Sequence, residues 1–350
     1  MNPSSVSTSP GFAQCDAEYS AAELAALWRR NRQTLVSDLE RHHRTVKGWP
    51  AHFKIELTNY CNLACPMCPH AKMKRAVGYM KPELFRKIID EAAPFLEFAY
   101  LHHLGESLFH GRIGDFIRYG RSRGVGMGLS TNATYLDQRK GRVLLESGLD
   151  FLVISMDGAT PDTYERIRVG GDFATTVRNV RDFFALKKQI PNHTTVVVQL
   201  IVIEENRHEI EQFAKDWEGQ VMIKTARDWA GQVQLGKAYK RPPQLMSPCR
   251  LLWSELTILW DGTVVPCANV FEKQNVLGNF SQQSLGDIWN GPPMRKLRDA
   301  HLHNEVSDIP VCATCPRHEL HAADFVAIDQ LTQRLRNYVR TDLTPRAGLS

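Results

Sequence analysis

The sequence predicts an α/β fold, namely a partial (β/α)6 barrel followed by a small second domain. From Phe53 to about Lys224, short apolar runs alternate with amphipathic segments, which is typical of a parallel sheet covered by helices. Near Gln232 this alternation stops and a hairpin signal follows. Six strand–helix units are fewer than the eight that close a standard barrel, so we expect an open or partial barrel.

The predicted strands and helices follow the hydrophobic periodicity of each segment. Apolar runs predict strands at Phe53–Leu57, Phe98–Leu104, Val125–Ser130, Phe151–Ser155, Thr195–Val202 and Val221–Lys224. Amphipathic stretches predict helices at Pro82–Ala93, Ile113–Arg123, Asp137–Ser147, Phe173–Leu186 and Asn206–Trp217. Because active sites in such barrels lie at the C-terminal ends of the strands, residues directly after each strand are the first functional candidates.

A further helix is predicted ahead of the barrel. Ser20 and Glu23 have the spacing of a capping box, and the apolar residues of one helical stripe follow, namely Leu24, Leu27, Trp28, Leu35 and Leu39. We interpret this helix as a strap packed on the outside of the main domain.

The second domain is predicted from the hairpin signal. Leu256–Trp260 and Thr263–Val265 are β-prone runs joined by Asp261-Gly262, which suits a tight two-residue turn. A polar helix, Ala323–Arg340, is predicted near the end of the sequence. The predicted divisions are an N-terminal extension with the helix (1–49), the barrel (50–236), the second domain (237–322) and a C-terminal helix with its tail (323–350).

The composition argues against several classes of protein. The chain has 350 residues, 43% hydrophobic and 23% charged, unlike a disordered chain, a collagen or a coiled-coil rod. No run approaches the about eighteen apolar residues of a membrane span, and the Ser/Pro-rich opening lacks the apolar core of a secretory signal. We therefore expect a cytoplasmic protein without membrane contact. The net charge of +5 is not concentrated in a basic run, which argues against a nucleic-acid partner.

Seven of the eight cysteines fall into two groups, and only Cys15 stands alone. In a reducing compartment, clustered cysteines are more often metal ligands or catalytic groups than disulfides. Cys61, Cys65 and Cys68 form a C-x3-C-x2-C pattern directly after the first predicted strand. Three thiolates on a four-iron cluster leave one iron with an open coordination position, where a substrate can bind. A zinc site lacking one ligand and buried thiols without metal are the alternatives.

The second group consists of Cys249, Cys267, Cys312 and Cys315. Four thiolates form a closed site, which suits either structural zinc or a fully ligated iron–sulfur cluster. The spacing alone favours zinc, because a C-x2-C pair with two distant cysteines is common in zinc sites.

The segment Phe53–Pro69, which contains the first three cysteines, resembles the signature of the radical S-adenosylmethionine (SAM) superfamily. The resemblance extends over most of residues 50–320. It implies a four-iron cluster on the three cysteines. In that superfamily, the cluster chelates SAM and an electron splits it, giving a 5′-deoxyadenosyl radical that removes a hydrogen atom from the substrate. Met67 stands at the position that packs on the SAM adenine.

Further landmarks of the superfamily follow the next strands. The SAM-binding residues that the resemblance implies are Met67, Gly105, Glu106, Ser130, Asn132, Ser155, Asp157 and Arg168. Glu106 matches the residue that holds the SAM ammonium, although Ser107 replaces the usual proline. Arg168 matches an arginine that pairs with the SAM carboxylate, as a planar donor fork would. Glu106 also has an alternative interpretation as a loop cap, Asp157 as part of a turn and Arg168 as a surface charge.

The region of the second cysteine group resembles the shortened SPASM, or twitch, domain of radical SAM enzymes. The resemblance implies that the four cysteines hold one auxiliary four-iron cluster instead of zinc. In a variant of this interpretation, Cys249 is a hydrogen-atom donor and not a ligand.

The cysteine spacing is most similar to that of the radical SAM dehydrogenases of aminoglycoside biosynthesis. This similarity implies oxidation of a secondary alcohol of a sugar or aminocyclitol to a ketone, with the auxiliary cluster as electron acceptor. It also implies an external electron donor of the flavodoxin or ferredoxin type. Polar residues near strand ends that could hold the substrate are His102, His103, Arg227 and Asp228, and Arg227 is the first candidate.

Other functions remain open at this point. Many SPASM proteins modify ribosomal peptides, but they usually carry an extra N-terminal peptide-binding domain, whereas residues 1–50 supply only a helix. A redox-neutral epimerisation, dehydration or decarboxylation of a sugar or nucleoside is a further alternative. A non-catalytic zinc-binding module would leave the implied SAM-binding residues unexplained.

Overall fold

The computed structural model describes residues 19–235 and 248–315. Within these ranges the chain forms one nine-stranded sheet in the order β6-β5-β4-β3-β2-β1-β7-β8-β9. The strands are β1 (His52–Ile55), β2 (Phe98–Tyr100), β3 (Gly126–Thr131), β4 (Phe151–Ser155), β5 (Thr195–Val202), β6 (Val221–Thr225), β7 (Glu255–Ile258), β8 (Thr263–Val265) and β9 (Gly278–Asn279). Strands β1 to β6 pair in parallel, each with its sequence neighbour. The predicted open α/β barrel is thereby confirmed.

Helices connect the parallel strands, as βαβ topology requires. They are α1 (Ala21–Glu40), α2 (Pro82–Ala92), α3 (Ile113–Ser122), α4 (Gln138–Glu146), α5 (Pro161–Ile167), α6 (Phe173–Gln189), α7 (Ile210–Asp216), α8 (Leu285–Trp289), α9 (Pro292–Leu302) and α10 (Pro310–Ala313). None of the helices in the described part of the chain is long and apolar enough to cross a membrane.

The capping box at the start of α1 is confirmed. The backbone N–H of Ser20 donates to the Glu23 carboxylate at 2.7 Å, and the Ser20 hydroxyl accepts from the Glu23 N–H at 3.3 Å. Leu24, Leu35 and Leu39 are buried on one side of the helix, so α1 packs against the barrel as the predicted strap.

Two predicted elements differ from those observed. Strand β2 ends at Tyr100 instead of Leu104, and the chain then turns at Gly105, which has a φ of +80°. A Cβ on Gly105 would lie 2.5 Å from the Thr58 carbonyl oxygen, so this close approach requires glycine. The helix predicted at Asn206–Trp217 is a 3₁₀ turn, Glu204–Glu209, followed by α7.

The predicted hairpin forms, but it continues the barrel sheet. Strands β7 and β8 are antiparallel, but the predicted two-residue turn is wrong. The Leu259 N–H donates to the Thr263 carbonyl at 2.8 Å, so the loop has three residues, 260–262, and Gly262 closes it with a positive φ of +86°. Strand β7 also pairs in parallel with β1, with His52 opposite Glu255. The domain boundaries therefore stay predictions, and the helix predicted at Ala323–Arg340 lies outside the described residues.

The two faces of the sheet carry different side chains. The outer face packs apolar side chains such as Ile55 and Leu129 against the helices. On the inner face, Phe98, Phe151 and Val197 belong to a smaller apolar cluster. Toward the C-terminal ends of the strands, the inner positions become polar, and this change places polar groups where parallel-sheet enzymes bind their substrates.

Candidate functional site

The loop after β1 brings the first three cysteines together. The Cys68 N–H donates to the Cys65 carbonyl at 3.0 Å, and the Ala64 N–H donates to the carbonyl of Val169 at 2.9 Å. Burial raises the pKa of the Cys61 thiol to about 11, and the neighbouring Cys65 thiolate contributes to the increase. The pKa of Cys68 is raised to about 12, again mainly by burial. Buried sulfurs that repel one another as thiolates suit a site where a metal centre supplies positive charge.

Gly105 and Glu106 pack directly against this loop. The Glu106 N–H donates to the carbonyl of Tyr60 at 2.7 Å, next to Cys61 in the sequence. The buried Glu106 carboxylate accepts bonds from the N–H of Leu108, the hydroxyl of Thr131 and the N–H of Asn132, at 2.7–3.1 Å. Burial raises the pKa of this carboxyl. Glu106 is therefore a loop cap, and its three bonds leave about one of the four lone-pair positions of a carboxylate for a ligand.

The strand ends beside Glu106 carry the next implied SAM contacts. The Asn132 amide Nδ2 lies 3.9 Å from the Cys61 sulfur. The hydroxyl oxygens of Ser130 and Ser155 lie 3.3 Å apart, and Gln199 Nε2 donates to Ser155 at 3.3 Å. Neighbouring strands thus present one connected row of hydrogen-bonding groups on the inner face of the sheet.

Asp157 and Arg168 form a buried ion pair. Arg168 Nη2 lies 2.5 Å from Asp157 Oδ2, and Arg168 Nη1 lies 3.7 Å from the Cys65 sulfur. Asp157 has a positive φ of 63°, a backbone conformation that is sparsely populated outside glycine and occurs at functional sites. Arg168 is thus no surface charge, because it connects Asp157 to the cysteine loop.

One donor of Arg168 fits a ligand. The Nε of Arg168 is buried and has no hydrogen-bond partner among residues 19–235 and 248–315. A buried guanidinium N–H needs an acceptor, and a carboxylate such as that of SAM would satisfy it. The residues present therefore fit SAM beside the first cysteine loop.

The second cysteine group converges near β8 and α10. Burial raises the pKa of Cys267 to about 12, and the thiolates of Cys249 and Cys315 contribute. The pKa of Cys312 is also raised by burial, with contributions from the other three sulfurs. The Cys315 N–H donates to the Cys312 carbonyl at 3.1 Å. These four sulfurs are close enough to interact electrostatically, as ligands of one centre must be.

The sulfur positions bear on the choice between zinc and iron. In the described ranges, no three histidine, cysteine or acidic side chains are placed as ligands of a single metal ion. A structural zinc needs its ligands around one ion. A four-iron cluster does not, because each thiolate binds a different iron. Three thiolates at the first group and four at the second match the ligand numbers of iron–sulfur clusters.

A segment whose structural role was not predicted from the sequence joins the two cysteine groups. Trp229, Ala230 and Gly231 are three consecutive residues with positive φ, at 51°, 58° and 82°. The indole N–H of Trp229 donates to the carbonyl of Met67 at 3.2 Å, beside Cys68. The carbonyl of Ala230 accepts from the Thr314 hydroxyl at 2.5 Å, beside Cys315. We call residues 229–231 the bridging segment, and its only sequence signal is the glycine.

The predicted substrate residues differ in their burial. His103 is buried at the end of β2, and Asp228 is buried after β6. The Arg227 side chain is exposed, so its predicted contact with substrate stays a prediction. Sequence reasoning also missed the ion pair between Lys54 and Glu255 on adjacent strands.

Comparisons with known proteins agree with this site. The sequence matches the Radical SAM superfamily over residues 55–216 and the SPASM iron–sulfur cluster-binding domain over residues 249–316. The chain therefore carries a radical SAM domain over residues 55–216 and a SPASM domain over residues 249–316. These two domains imply a SAM-binding four-iron cluster and auxiliary iron–sulfur binding.

Relatives of the chain have different activities. A tungsten-containing aldehyde ferredoxin oxidoreductase cofactor-modifying protein of Pyrococcus furiosus is 25% identical, over 78% of this chain and 88% of the relative. The SAM-dependent 2-deoxy-scyllo-inosamine dehydrogenase of Niallia circulans is 22% identical, over 75% and 91%. The subtilosin biosynthesis protein AlbA of Bacillus subtilis is 24% identical, over 77% and 68%.

Solved structures show the same fold. BtrN in complex with AdoMet and 2-DOIA matches with a TM-score of 0.54 and 17% identity, over 78% of this chain and 97% of that chain. Streptococcus suis SuiB bound to its precursor peptide SuiA matches with a TM-score of 0.62 and 13% identity, over 84% and 76%. At these identities the likeness extends to the fold alone.

Proposed function

We propose that this protein oxidises a secondary alcohol of a sugar or aminocyclitol to a ketone. The observation that carries the proposal is the convergence of four cysteines whose loop the bridging segment joins to the loop of the SAM-site cysteines. The four are Cys249, Cys267, Cys312 and Cys315. When bound, SAM and the two clusters supply hydrogen-atom abstraction and an acceptor for the second electron of the oxidation. An external donor of the flavodoxin or ferredoxin type supplies the reducing electron for SAM cleavage.

The inner face of the sheet supports a hydroxylated substrate. Ser130, Ser155 and Gln199 present hydroxyl and amide groups in one row, and the side chains of Tyr100 and Ser130 share a hydrogen bond. Standard closed barrels fill this space with branched apolar side chains. A polar row favours a ligand that brings its own donors and acceptors, as a sugar or cyclitol does.

The chain's own residues orient the cofactors in this proposal. Cys61, Cys65 and Cys68 hold the SAM-binding cluster, and the second cysteine group holds one auxiliary cluster. Met67, Gly105, Ser130, Asn132 and Ser155 surround SAM. Glu106 offers its remaining acceptor position to the SAM ammonium, while Arg168 donates through Nε to the SAM carboxylate and is held by Asp157.

Peptide modification is the second candidate. It is favoured by the likeness to AlbA and to the fold of peptide-bound SuiB. The described part of the N-terminal extension is one helix, α1, with the loop that follows it, and its buried leucines pack on the barrel. That packing leaves the apolar side of α1 occupied by this chain and not by a peptide.

Product mass separates the candidates. Anaerobically reconstituted protein is incubated with SAM, a reductant and a panel of aminocyclitols and sugars that begins with 2-deoxy-scyllo-inosamine. Loss of two hydrogens from one member supports the proposal. A product of unchanged mass with inverted configuration, or one that has lost water or carbon dioxide, would contradict the proposed oxidation and indicate a redox-neutral reaction. Inactivity on every alcohol together with modification of a peptide supports the second candidate.

A further inference from the structure

Two consecutive histidines, His102 and His103, lie between the two cysteine groups. The Nε2 of His103 is 3.2 Å from the carbonyl oxygen of Val270, whose own N–H donates to the carbonyl of Cys267 at 3.1 Å. On the other side, burial lowers the pKa of His102 to about 3, and the charge of Arg168 contributes to the decrease. His103 is therefore tethered to the loop of Cys267, while His102 is near the SAM-site arginine.

The partner of His103 fixes its tautomer. A carbonyl oxygen only accepts hydrogen bonds, so the Nε2 of His103 must carry the hydrogen. Burial lowers the pKa of His103 to about 3, helped by the positive charges of Arg75 and Lys54 and opposed by Glu255. The ring is therefore neutral near pH 7, and Nδ1 carries a free lone pair.

That lone pair has no partner. The Nδ1 of His103 is buried without a hydrogen-bond partner in the described part of the chain, and the residue is only 4% exposed. Leaving a buried acceptor unpaired costs about 1–3 kcal/mol, and native proteins satisfy nearly all such groups. A hydroxyl donor from a ligand between the two cysteine groups would satisfy it.

We propose that the Nδ1 of His103 accepts the hydroxyl proton of the substrate alcohol during its oxidation. This inference rests on the proposed function. Conversion of a secondary alcohol to a ketone removes one hydrogen atom, one electron and one proton. The bound cofactors supply the acceptors of the first two, namely the SAM-derived radical and the oxidised auxiliary cluster. His103 takes the proton as the second electron leaves and the C–O bond becomes a double bond. The proton then departs from a protonated ketone, which is a far stronger acid than the imidazolium of His103, so even this weakly basic ring can accept it.

Other groups nearby are less suited to this role. An arginine such as Arg227 does not lose its proton in proteins, so it has no acceptor to offer. The carboxylates of Glu106 and Asp157 already accept protein hydrogen bonds or pair with Arg168. The Nδ1 of His102 is also buried without a hydrogen-bond partner among the described residues, but no hydrogen bond fixes the tautomer of this ring, which makes an edge contact with the ring of Tyr100 at 6.1 Å between centroids. His110 is the matched control, because its Nε2 also bonds a carbonyl, that of Met80 at 3.0 Å, whereas its Nδ1 accepts from the Arg112 N–H at 3.2 Å.

The first test determines the tautomer of His103 and requires no catalytic turnover. The full-length holoprotein is labelled with ¹⁵N-histidine, and the His103 signals are assigned by their loss in His103→Gln. We expect a neutral ring with hydrogen on Nε2 and none on Nδ1 from pH 5 to pH 9. Hydrogen on Nδ1, or protonation of both nitrogens at pH 7, would overturn the assignment whether or not any alcohol is oxidised.

The second test separates proton transfer from SAM cleavage. Glutamine keeps a donor for the Val270 carbonyl but lacks the basic nitrogen. We expect His103→Gln to retain wild-type iron content and to form 5′-deoxyadenosine, while ketone formation falls at least about 100-fold, the loss typical of a missing general base. His110→Gln should lose less than about tenfold. Ketone formation by His103→Gln at the wild-type rate would overturn the proposal. A wild-type protein that oxidises no alcohol would refute the proposed function itself, and this role with it.

Discussion

The indole N–H of Trp229 donates a hydrogen bond of 3.2 Å to the backbone carbonyl of Met67. Met67 precedes Cys68, and Ala230 is bonded to Thr314 beside Cys315. A single turn of chain thus holds the loops of both cysteine groups. Its two non-glycine residues adopt left-handed conformations that cost roughly 1–2 kcal/mol each, so the surrounding contacts must stabilise this turn.

Removal of the indole N–H tests this connection. We expect Trp229→Phe to weaken SAM binding about fivefold, because one hydrogen bond to the Met67 loop, about 1 kcal/mol, is lost. Equilibrium dialysis with SAM measures the effect. Trp28→Phe is the matched control, since the Trp28 N–H has no hydrogen-bond partner among the described residues. Equal SAM affinity in both variants would show that the bond does not position the loop.

The fork of Arg168 is predicted to bind SAM. Arg168→Lys keeps a positive charge near Asp157 but removes the unpartnered Nε and the contact with Cys65. We expect SAM affinity to fall tenfold to 100-fold, because a hydrogen bond to a charged group is worth about 1.5–3 kcal/mol. The iron content should stay unchanged. Arg166→Lys, on the exposed side of the same helix, should bind SAM normally, and an equal loss in both variants would contradict the assignment.

Stability should fall as the pH drops below about 6.5, partly because of His103. The pKa of this ring is about 3 in the folded protein, against about 6.5 in the unfolded chain. The unfolded state therefore binds more protons between these values, and stability is lost as the pH falls from 6.5 toward 3. At pH 5 the loss from this group is on the order of 2 kcal/mol.

Denaturant midpoints measured between pH 7.5 and pH 5 check this expectation. His103→Gln should lose less stability over that interval than wild type. His208→Gln, at a side chain that is mostly exposed, should follow the wild-type curve. A His103→Gln protein with the wild-type pH dependence would show that His103 does not stay neutral in the folded state.

Arg227 stays the first candidate for contact with the reacting hydroxyl. We expect Arg227→Ala to lose at least about tenfold in turnover, because a charged donor to the substrate is removed, while both cysteine groups keep their iron. Ketone formation and iron content are measured side by side. Arg207→Ala, at another exposed arginine, should retain full turnover. An unchanged rate in Arg227→Ala would remove that residue from the site.

Much of the barrel could be predicted from local sequence patterns. The bounds of β4 and β5 were predicted to the residue, because each apolar run ends at polar or turn-forming residues, although β5 also contains the polar Gln199. The pairing of β7 with β1 could not be predicted, since it joins His52 to Glu255 across about 200 residues and leaves no local periodicity. Strand β2 is shorter than predicted because the chain turns at Gly105 to pack against Thr58. This tertiary contact outweighs the β propensity of residues 101–104.

The residues of the candidate site could be predicted only where they belong to a recognisable sequence motif. The cysteines, Glu106 and Arg168 stand in recognisable sequence patterns. Which of these residues contact one another depends on the fold, and the patterns do not specify it. Asp157 and Arg168 were separate candidates in the sequence and form one ion pair in the structure. Trp229 was unremarked as a structural residue because a bond from an indole to a distant carbonyl follows from no motif.

A metal count tests the central claim, that this chain holds two iron–sulfur clusters of which one accepts an electron. Iron, sulfide and zinc are measured on anaerobically reconstituted wild type and on a variant with Cys312→Ala and Cys315→Ala. The account predicts about eight irons per chain, falling to about four in the variant, because each four-iron cluster is lost or kept as a unit. About four irons plus one zinc in wild type would contradict it, since a structural zinc accepts no electron and the oxidation would lack its acceptor.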